Sequence, residues 1–259
     1  MVDRPTTVHS SDHGTGPSPS GLSLVVIGCD GSWTGPGGAG SGYVVTSGTT
    51  RVLMDAGPGT FANLQRHVDP ASIDAVTLSH RHPDHWTDLY SIATHARFAL
   101  GGRSVPVYAP AGVAERAHLE MSPVVAFHEV THGDSVRIGS LTCTFHRTDH
   151  PVETLAVRID GGGRALGYSA DTGPEWSLAE LGTGLDLVLS EATYTCDHEG
   201  TSHHMSGRQA GDQARKAGAR RLVVTHRWPT VSASALEAEA ALAFGSPVEV
   251  AAIGKEYVL

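Results

Sequence analysis

Leu78-Ser79-His80-Arg81-His82-Pro83-Asp84-His85-Trp86 is the stretch that decides how this chain folds. It continues a short apolar run, Ala75-Val76-Thr77-Leu78, that reads as a β-strand. Just past a strand, extended backbone sends residues i and i+2 to the same side, so His80 and His82 can grip one metal ion. Pro83 breaks the extended run, and Asp84 and His85 can then turn toward a second ion. Imidazoles with a carboxylate suit zinc, iron or manganese rather than calcium. A solvated loop does not gather three histidines and an aspartate in six residues by chance.

Outward from this stretch, short apolar runs bounded by Gly, Pro or Asp predict strands over 22–28, 41–47, 51–55, 75–79, 105–108, 134–138, 141–147, 155–159, 165–169, 185–190 and 221–225. Within 141–147, Leu141, Cys143 and Phe145 alternate with polar residues, as a half-buried strand requires. Leu89, Ile92, Ala93, Ala96 and Leu100 fall on one helical stripe. Ser206 with Gln209 is a capping-box pattern opening a helix seamed by Ala210, Ala214 and Ala217, and a third helix is expected over 233–244. The mixture points to layered α/β, with helices outside the sheets.

The 259 residues, 40% of them hydrophobic, suit one domain with a sizeable core, expected over residues 21–259. Residues 1–20 are rich in Ser, Thr, Pro and Gly and read as a disordered tail. No apolar run approaches the ~20 residues of a membrane span, and the start lacks a signal-peptide core, so the cytoplasm is the expected location. Cys29, Cys143 and Cys196 are odd in number and far apart, which indicates neither a disulfide framework nor a zinc ribbon. A net charge of −9 argues against a nucleic-acid partner. The local basic run of Arg208, Arg215, Lys216, Arg220, Arg221 and Arg227 reads as a solvated helix face and loop. The 16 histidines stand out, and their positions decide what they mean.

The HxHxDH pattern resembles the signature of the metallo-β-lactamase superfamily, and the rest of the chain resembles that family in order. The resemblance implies a four-layer αβ/βα sandwich. Asp55, in Leu53-Met54-Asp55-Ala56-Gly57, resembles the strand-end aspartate that braces the metal loop. His150, in Thr148-Asp149-His150-Pro151, stands where the family places its third histidine, whereas His146 falls inside a strand pattern and reads as structural. Asp171, in Tyr168-Ser169-Ala170-Asp171-Thr172-Gly173, matches the bridging aspartate, and His226 closes Leu222-Val223-Val224-Thr225-His226 as the last ligand. By resemblance, His80, His82, His150 and Asp171 hold one ion, and Asp84, His85, Asp171 and His226 hold another. Two divalent ions are expected, zinc first, with manganese or iron as alternatives.

Two further motifs resemble tRNase Z. Ser190-Glu191-Ala192-Thr193 is similar to its His-Glu-Ala-Thr loop, with Ser190 replacing the histidine, and His204-Met205-Ser206 is similar to its His-Ser-Thr loop. The resemblance couples Glu191 to His204, which protonates a leaving alkoxide. Asp84 is expected to serve in catalysis as well as in metal binding. The helix opening at Ser206 is expected to offer backbone amides to an anion. The glycine-rich Gly28-Cys29-Asp30-Gly31-Ser32-Trp33-Thr34-Gly35-Pro36 is no Walker loop; it resembles the first loop of this phosphodiesterase branch, and a tight turn explains it equally well. Trp86 and Trp228 flank ligand stretches, with packing favoured over base stacking.

Substrate size can also be read. True metallo-β-lactamases carry a cysteine where this chain has Asp171, and glyoxalases and lactonases lack the Glu191–His204 pair. tRNase Z grips tRNA through a long arm between its third histidine and bridging aspartate, but His150 and Asp171 are only 21 residues apart. The resemblance is nearest to actinobacterial tRNase Z-like cyclic nucleotide phosphodiesterases. It implies hydrolysis of a small phosphodiester, 3′,5′-cyclic AMP foremost, without a membrane or nucleic-acid partner and with a homodimer allowed. The alternatives are cleavage of tRNA 3′ ends or other RNA phosphodiesters, and a metal-binding regulatory protein without activity.

Overall fold

Leu141, Cys143 and Phe145 are buried while Thr142, Thr144 and His146 between them are half-buried, so the predicted alternation is realised in a strand with one face on a core. The computed structural model describes residues 21–118 and 124–259; the segment read as a tail, 1–20, lies outside them. In chain order the strands are β1 (Leu22–Gly28), β2 (Gly42–Ser47), β3 (Thr50–Met54), β4 (Ala75–Thr77), β5 (Val105–Ala109), β6 (Val125–Glu129) and β7 (Ser135–Ile138). They continue as β8 (Leu141–Arg147), β9 (Leu155–Gly161), β10 (Arg164–Tyr168), β11 (Leu187–Glu191), β12 (Leu222–Thr225), β13 (Glu249–Val250) and β14 (Glu256–Val258). The helices are α1 (Thr60–His67), α2 (Leu89–Phe98), α3 (Val113–Ala117), α4 (Gly207–Lys216) and α5 (Ala233–Phe244).

Two seven-stranded sheets result, in the orders β14-β1-β2-β3-β4-β5-β6 and β13-β12-β11-β10-β9-β8-β7. In each, an antiparallel set passes into a parallel one, at β3–β4 in the first sheet and β10–β11 in the second. Between the sheets lie Leu24, Val26, Tyr43, Phe145, Ile159, Leu166 and Leu187. Tyr43 of β2 hydrogen-bonds Thr225 of β12 across this layer at 2.6 Å and packs at a tilt against Tyr168 of β10, 5.2 Å away. On the outer face of the first sheet, Leu64 of α1 and Ile92 and Ala96 of α2 cover Leu53 and Val76. On the other side, Ala210 and Ala214 of α4 and Leu236 and Ala240 of α5 cover Val188 and Val224. The predicted four-layer sandwich is the observed fold.

A glycine inside α4 costs about 1 kcal/mol in helix propensity, yet Gly211 has a reason to be there. A β-carbon at that position would stand 2.3 Å from the carbonyl oxygen of Ala240, so its absence lets α4 and α5 approach closely.

The differences from the sequence reading fall on weakly patterned segments. Helix α1 buries only Thr60 and Leu64 and so has almost no apolar stripe. Strand β6 is an edge strand without a buried residue, β13 has two residues and β14 three, too short for period-two alternation to register. No helix among the described residues is long and apolar enough to cross a membrane.

Candidate metal centre

Parallel strands deliver their C-terminal ends to one edge, and ligand-binding loops gather there. Strand β3 ends at Asp55, the loop after β4 carries His80, His82, Asp84 and His85, and those after β8, β10, β11 and β12 bring His150, Asp171, Thr193 and His226. Four of the five non-glycine residues with left-handed backbone among the described residues stand here: Ser32 (φ 61°), Asp55 (57°), Ala170 (51°) and His226 (56°). That conformation costs roughly 1–2 kcal/mol per residue and persists only where the surroundings enforce it. Each such residue turns the chain abruptly where a strand or turn hands over to the centre.

The side chains converge in two groups that share Asp171. In the first, His80 Nε2 lies 2.9 Å from His82 Nδ1, which is 3.2 Å from His150 Nε2. Asp171 Oδ2 is 3.5 Å from His80 Nε2 and 4.0 Å from His150 Nε2. In the second, Asp84 Oδ2 is 3.5 Å from His85 Nε2 and 3.3 Å from His226 Nε2, and Asp171 Oδ1 is 3.3 and 3.4 Å from the same two nitrogens. All seven residues nominated as ligands are thereby brought together. His80, His85, Asp171 and His226 are buried.

Partners behind the histidines fix which nitrogen faces inward. His85 Nδ1 donates to Asp55 Oδ2 at 2.8 Å. The Ser79 hydroxyl donates to the same oxygen at 2.9 Å and therefore accepts from His80 Nδ1 at 3.0 Å. Thr193 donates to Glu191 Oε2 at 2.8 Å and accepts from His226 Nδ1 at 3.0 Å. His150 Nδ1 donates to the His203 carbonyl at 3.3 Å. Each of these four rings commits Nδ1 outward as a donor and leaves the Nε2 lone pair facing the centre, the arrangement that orients metal-ligating histidines. Ser79, Thr193 and Tyr168 escaped the sequence reading; the only available signal was their adjacency to the ligand motifs.

The donor set fits divalent cations. Asp171 Oδ1 is buried without a hydrogen-bond partner, a costly state unless a cation meets it. Burial drives the pKa of His80 well below its usual value and that of His150 to about 4, so both stay neutral, the form that binds metal. Burial also opposes charge on His85, but Asp171, Asp84 and Asp55 prevail and raise its pKa well above normal, so a metal ion binding at its Nε2 would displace a proton. Positive charge is what this pocket is built to hold.

Asp55 is the anchor of the metal loop. It accepts from Ser79 N at 2.7 Å and from Tyr168 OH at 2.7 Å, besides the Ser79 hydroxyl and His85. Asp55→Ala is expected to cost about 3 kcal/mol or more, since several buried donors lose their acceptor, whereas Tyr168→Phe should cost about 1 kcal/mol. Urea unfolding measures both, and a loss below 1 kcal/mol for Asp55→Ala would remove Asp55 from this role.

Glu191 is fully buried and accepts four hydrogen bonds, from Thr172 N (2.7 Å), His204 Nδ1 (2.9 Å), Thr193 Oγ1 (2.8 Å) and Met205 N (3.1 Å). Burial disfavours charge on His204, but Glu191 outweighs it and lifts the pKa to about 9. A ring nitrogen of His204 lies within 4.8 Å of ligand atoms of Asp171 and His226, and the ring stacks on that of His226 at 5.2 Å. The predicted Glu191–His204 couple is present.

Other expectations are settled differently. Around Ser206 the capping box forms, and it takes up the helix-end amides: Gln209 N goes to Ser206 Oγ and Gly207 N to the Tyr194 carbonyl. Two of the amides that the helix end could offer an anion, those of Gly207 and Gln209, thus already have partners. Trp86 is buried and donates its indole N–H to the Arg81 carbonyl, so it packs. The glycine-rich loop braces the second group through Ser32 N, which donates to Asp84 Oδ2 at 2.9 Å. A β-carbon on Gly57 would stand 2.0 Å from the Asp84 carbonyl oxygen, so the metal loop lies directly against this backbone. Each cation of the basic run has a partner: Arg208 pairs with Glu199, Arg215 and Lys216 with Asp212, Arg220 with Asp186 and Arg221 with Glu249, while Arg227 binds the carbonyls of Trp228 and Val231.

The family model described as Beta-lactamase superfamily domain matches residues 50–227. The chain therefore belongs to the metallo-β-lactamase superfamily. It is a metallo-hydrolase, and its relatives place it in the tRNase Z-like branch. It is 35% identical over 252 residues to the Mycobacterium tuberculosis protein Rv1339, covering 91% of this chain and 90% of that one. The crystal structure of YhfI from Bacillus subtilis, a metallo-β-lactamase fold protein, matches with a TM-score of 0.86 at 30% identity, covering 92% of this chain and 99% of that chain. Ribonuclease Z of Mycobacterium bovis is 28% identical over 269 residues, with 88% and 95% of the two chains covered.

Proposed function

We propose that the chain hydrolyses a small cyclic nucleotide, 3′,5′-cyclic AMP foremost, to the nucleoside monophosphate. The observation that carries this reading is the Glu191–His204 pair, with His204 Nδ1 held at 2.9 Å and a ring nitrogen of His204 within 4.8 Å of ligand atoms of Asp171 and His226. An ester with an alkoxide leaving group needs a proton donor, whereas a thioester, whose thiolate leaves unaided, does not. His80, His82, His150 and Asp171 would hold one divalent ion, zinc foremost, and Asp84, His85, Asp171 and His226 another; when bound, such ions would supply charge and Lewis acidity to a phosphate and acidify water. A water attacks phosphorus and passes its proton to Asp84, which the Ser32 amide holds in place. The bond from phosphorus to the ribose oxygen breaks as His204 protonates that oxygen. Glu191 keeps the imidazole charged and oriented throughout.

Small size is supported by two features. Between His150 and Asp171 the chain builds only β9 and β10, with no room for a tRNA-gripping arm. The basic run that could track a phosphate backbone is spent on ion pairs and carbonyls. On metal-loaded protein, a panel of cyclic AMP, cyclic GMP, a chromogenic diester, precursor tRNA, a lactone and a β-lactam tests the reading. Cyclic nucleotide turnover should exceed tRNA cleavage by at least about 100-fold, with a shallow salt dependence because few counterions are released. Efficient tRNA cleavage with a steep salt slope reverses the assignment toward a ribonuclease.

A further inference from the structure

Trp33, Trp228 and Tyr194 form a run of rings beside the second ligand group. Trp33 and Trp228 have centroids 5.6 Å apart at 37°, and Trp228 and Tyr194 are 5.6 Å apart at 64°. Both ends of the run are tied to the centre. At one end, the amide of Ser32, the residue before Trp33, donates to Asp84 Oδ2 at 2.9 Å. At the other, the Tyr194 hydroxyl donates to the His204 carbonyl at 2.8 Å. In the middle, Trp228 follows His226 by two residues and donates its indole N–H to Ser32 Oγ at 3.1 Å.

Burial falls along the run: Tyr194 is buried, Trp228 half-buried and Trp33 45% exposed. Asp84, against which the loop of Trp33 is pinned, is itself partly open, with 12% of its side chain exposed. A tryptophan that served packing alone would be covered, as Trp86 is at 6%. Trp33 is instead backed by one aromatic ring, leaves much of its surface free, and directly follows the residue whose amide bonds Asp84 of the second group. A rigid indole in that position loses little conformational entropy on binding a flat partner.

We propose that Trp33 is the platform on which the base of a nucleotide stacks while its phosphate occupies the metal centre. The substrate class is then a nucleoside phosphodiester rather than one lacking a base, and this rests on the phosphodiesterase reading above. Stacking on an aromatic side chain accepts any base because every base has a π-face. Trp33 therefore sets affinity for nucleotides as a class and not the choice among them.

The test uses metal-loaded protein and two ligands that share ribose and phosphate, adenosine 5′-monophosphate and ribose 5-phosphate. Binding is read by calorimetry and by quenching of tryptophan fluorescence. The native chain should bind the nucleotide about ten-fold or more tightly than the sugar phosphate, the range a single stacked base supplies. Trp33→Ala should bring the nucleotide down to the level of the sugar phosphate and leave the latter unchanged, and Trp33→Phe should recover part of the difference. Equal affinities in the native chain, or a preference untouched by Trp33→Ala, overturn the platform while leaving the phosphate site standing. Binding of neither ligand overturns the phosphodiesterase reading, and the platform with it.

Discussion

His204→Ala should fold normally, keep its metal content and lose about 10²–10⁴ in turnover of a cyclic nucleotide, the range for a positioned acid or base. The residue is outside the seven proposed ligands, and its Nδ1 is committed to Glu191 rather than to an ion. Its contribution is the proton, so the loss should shrink on a nitrophenyl diester, whose leaving group departs unaided. Glu191→Gln should show a milder loss of the same shape if it folds, because a neutral partner no longer holds the imidazole well above its usual pKa. The measurements are kcat on both substrates and metal content. Equal losses on the two substrates would make His204 a phosphate-binding residue, and loss of metal would make it a ligand.

Asp171→Ala is expected to abolish activity, with bound metal falling from about two equivalents to fewer than one. Both oxygens of its carboxylate are in use, Oδ2 facing His80 and His150 and Oδ1 facing His85 and His226. Removing it takes a donor from each group at once and leaves five imidazoles nearly without neutralising charge. By contrast His82→Ala, which takes a half-buried donor from the first group only, should spare the second site. Elemental analysis after reconstitution decides. A variant at Asp171 that still holds two ions rules out the bridging role.

The residues that cluster as candidate ligands were legible in the sequence because four of them sit in one six-residue stretch and the others each follow an apolar strand. Their supporting partners were not. Thr193 is an ordinary threonine until β11 and β12 pair and set it against His226, and Tyr168 meets Asp55 from 113 residues away. Trp33 illustrates the same limit. Trp86 and Trp228 drew attention as neighbours of ligands in sequence, yet it is Trp33, carried in from a distant turn, that remains exposed beside the centre. The capping box at Ser206 was readable and forms, although the amides of Ser206 and Gln209 that it uses are then no longer free for an anion. Among the elements, α1 and the edge strands β6, β13 and β14 were missed because each buries too little apolar surface to imprint a period.

Each ligand group draws half of its donors from either sheet: His80 and His82 face His150 and Asp171, and Asp84 and His85 face Asp171 and His226. A cation seated in either group is thus a rivet between two halves that otherwise cohere through a greasy seam. The seam in turn becomes part of the chemistry. Tyr43 touches no ligand, yet it bonds Thr225 immediately before His226 and packs on Tyr168, which steadies Asp55. Mutations that let one sheet slide over the other should therefore read as defects in metal retention, and screens for lost activity in this chain will collect interior aromatic and aliphatic positions alongside the histidines.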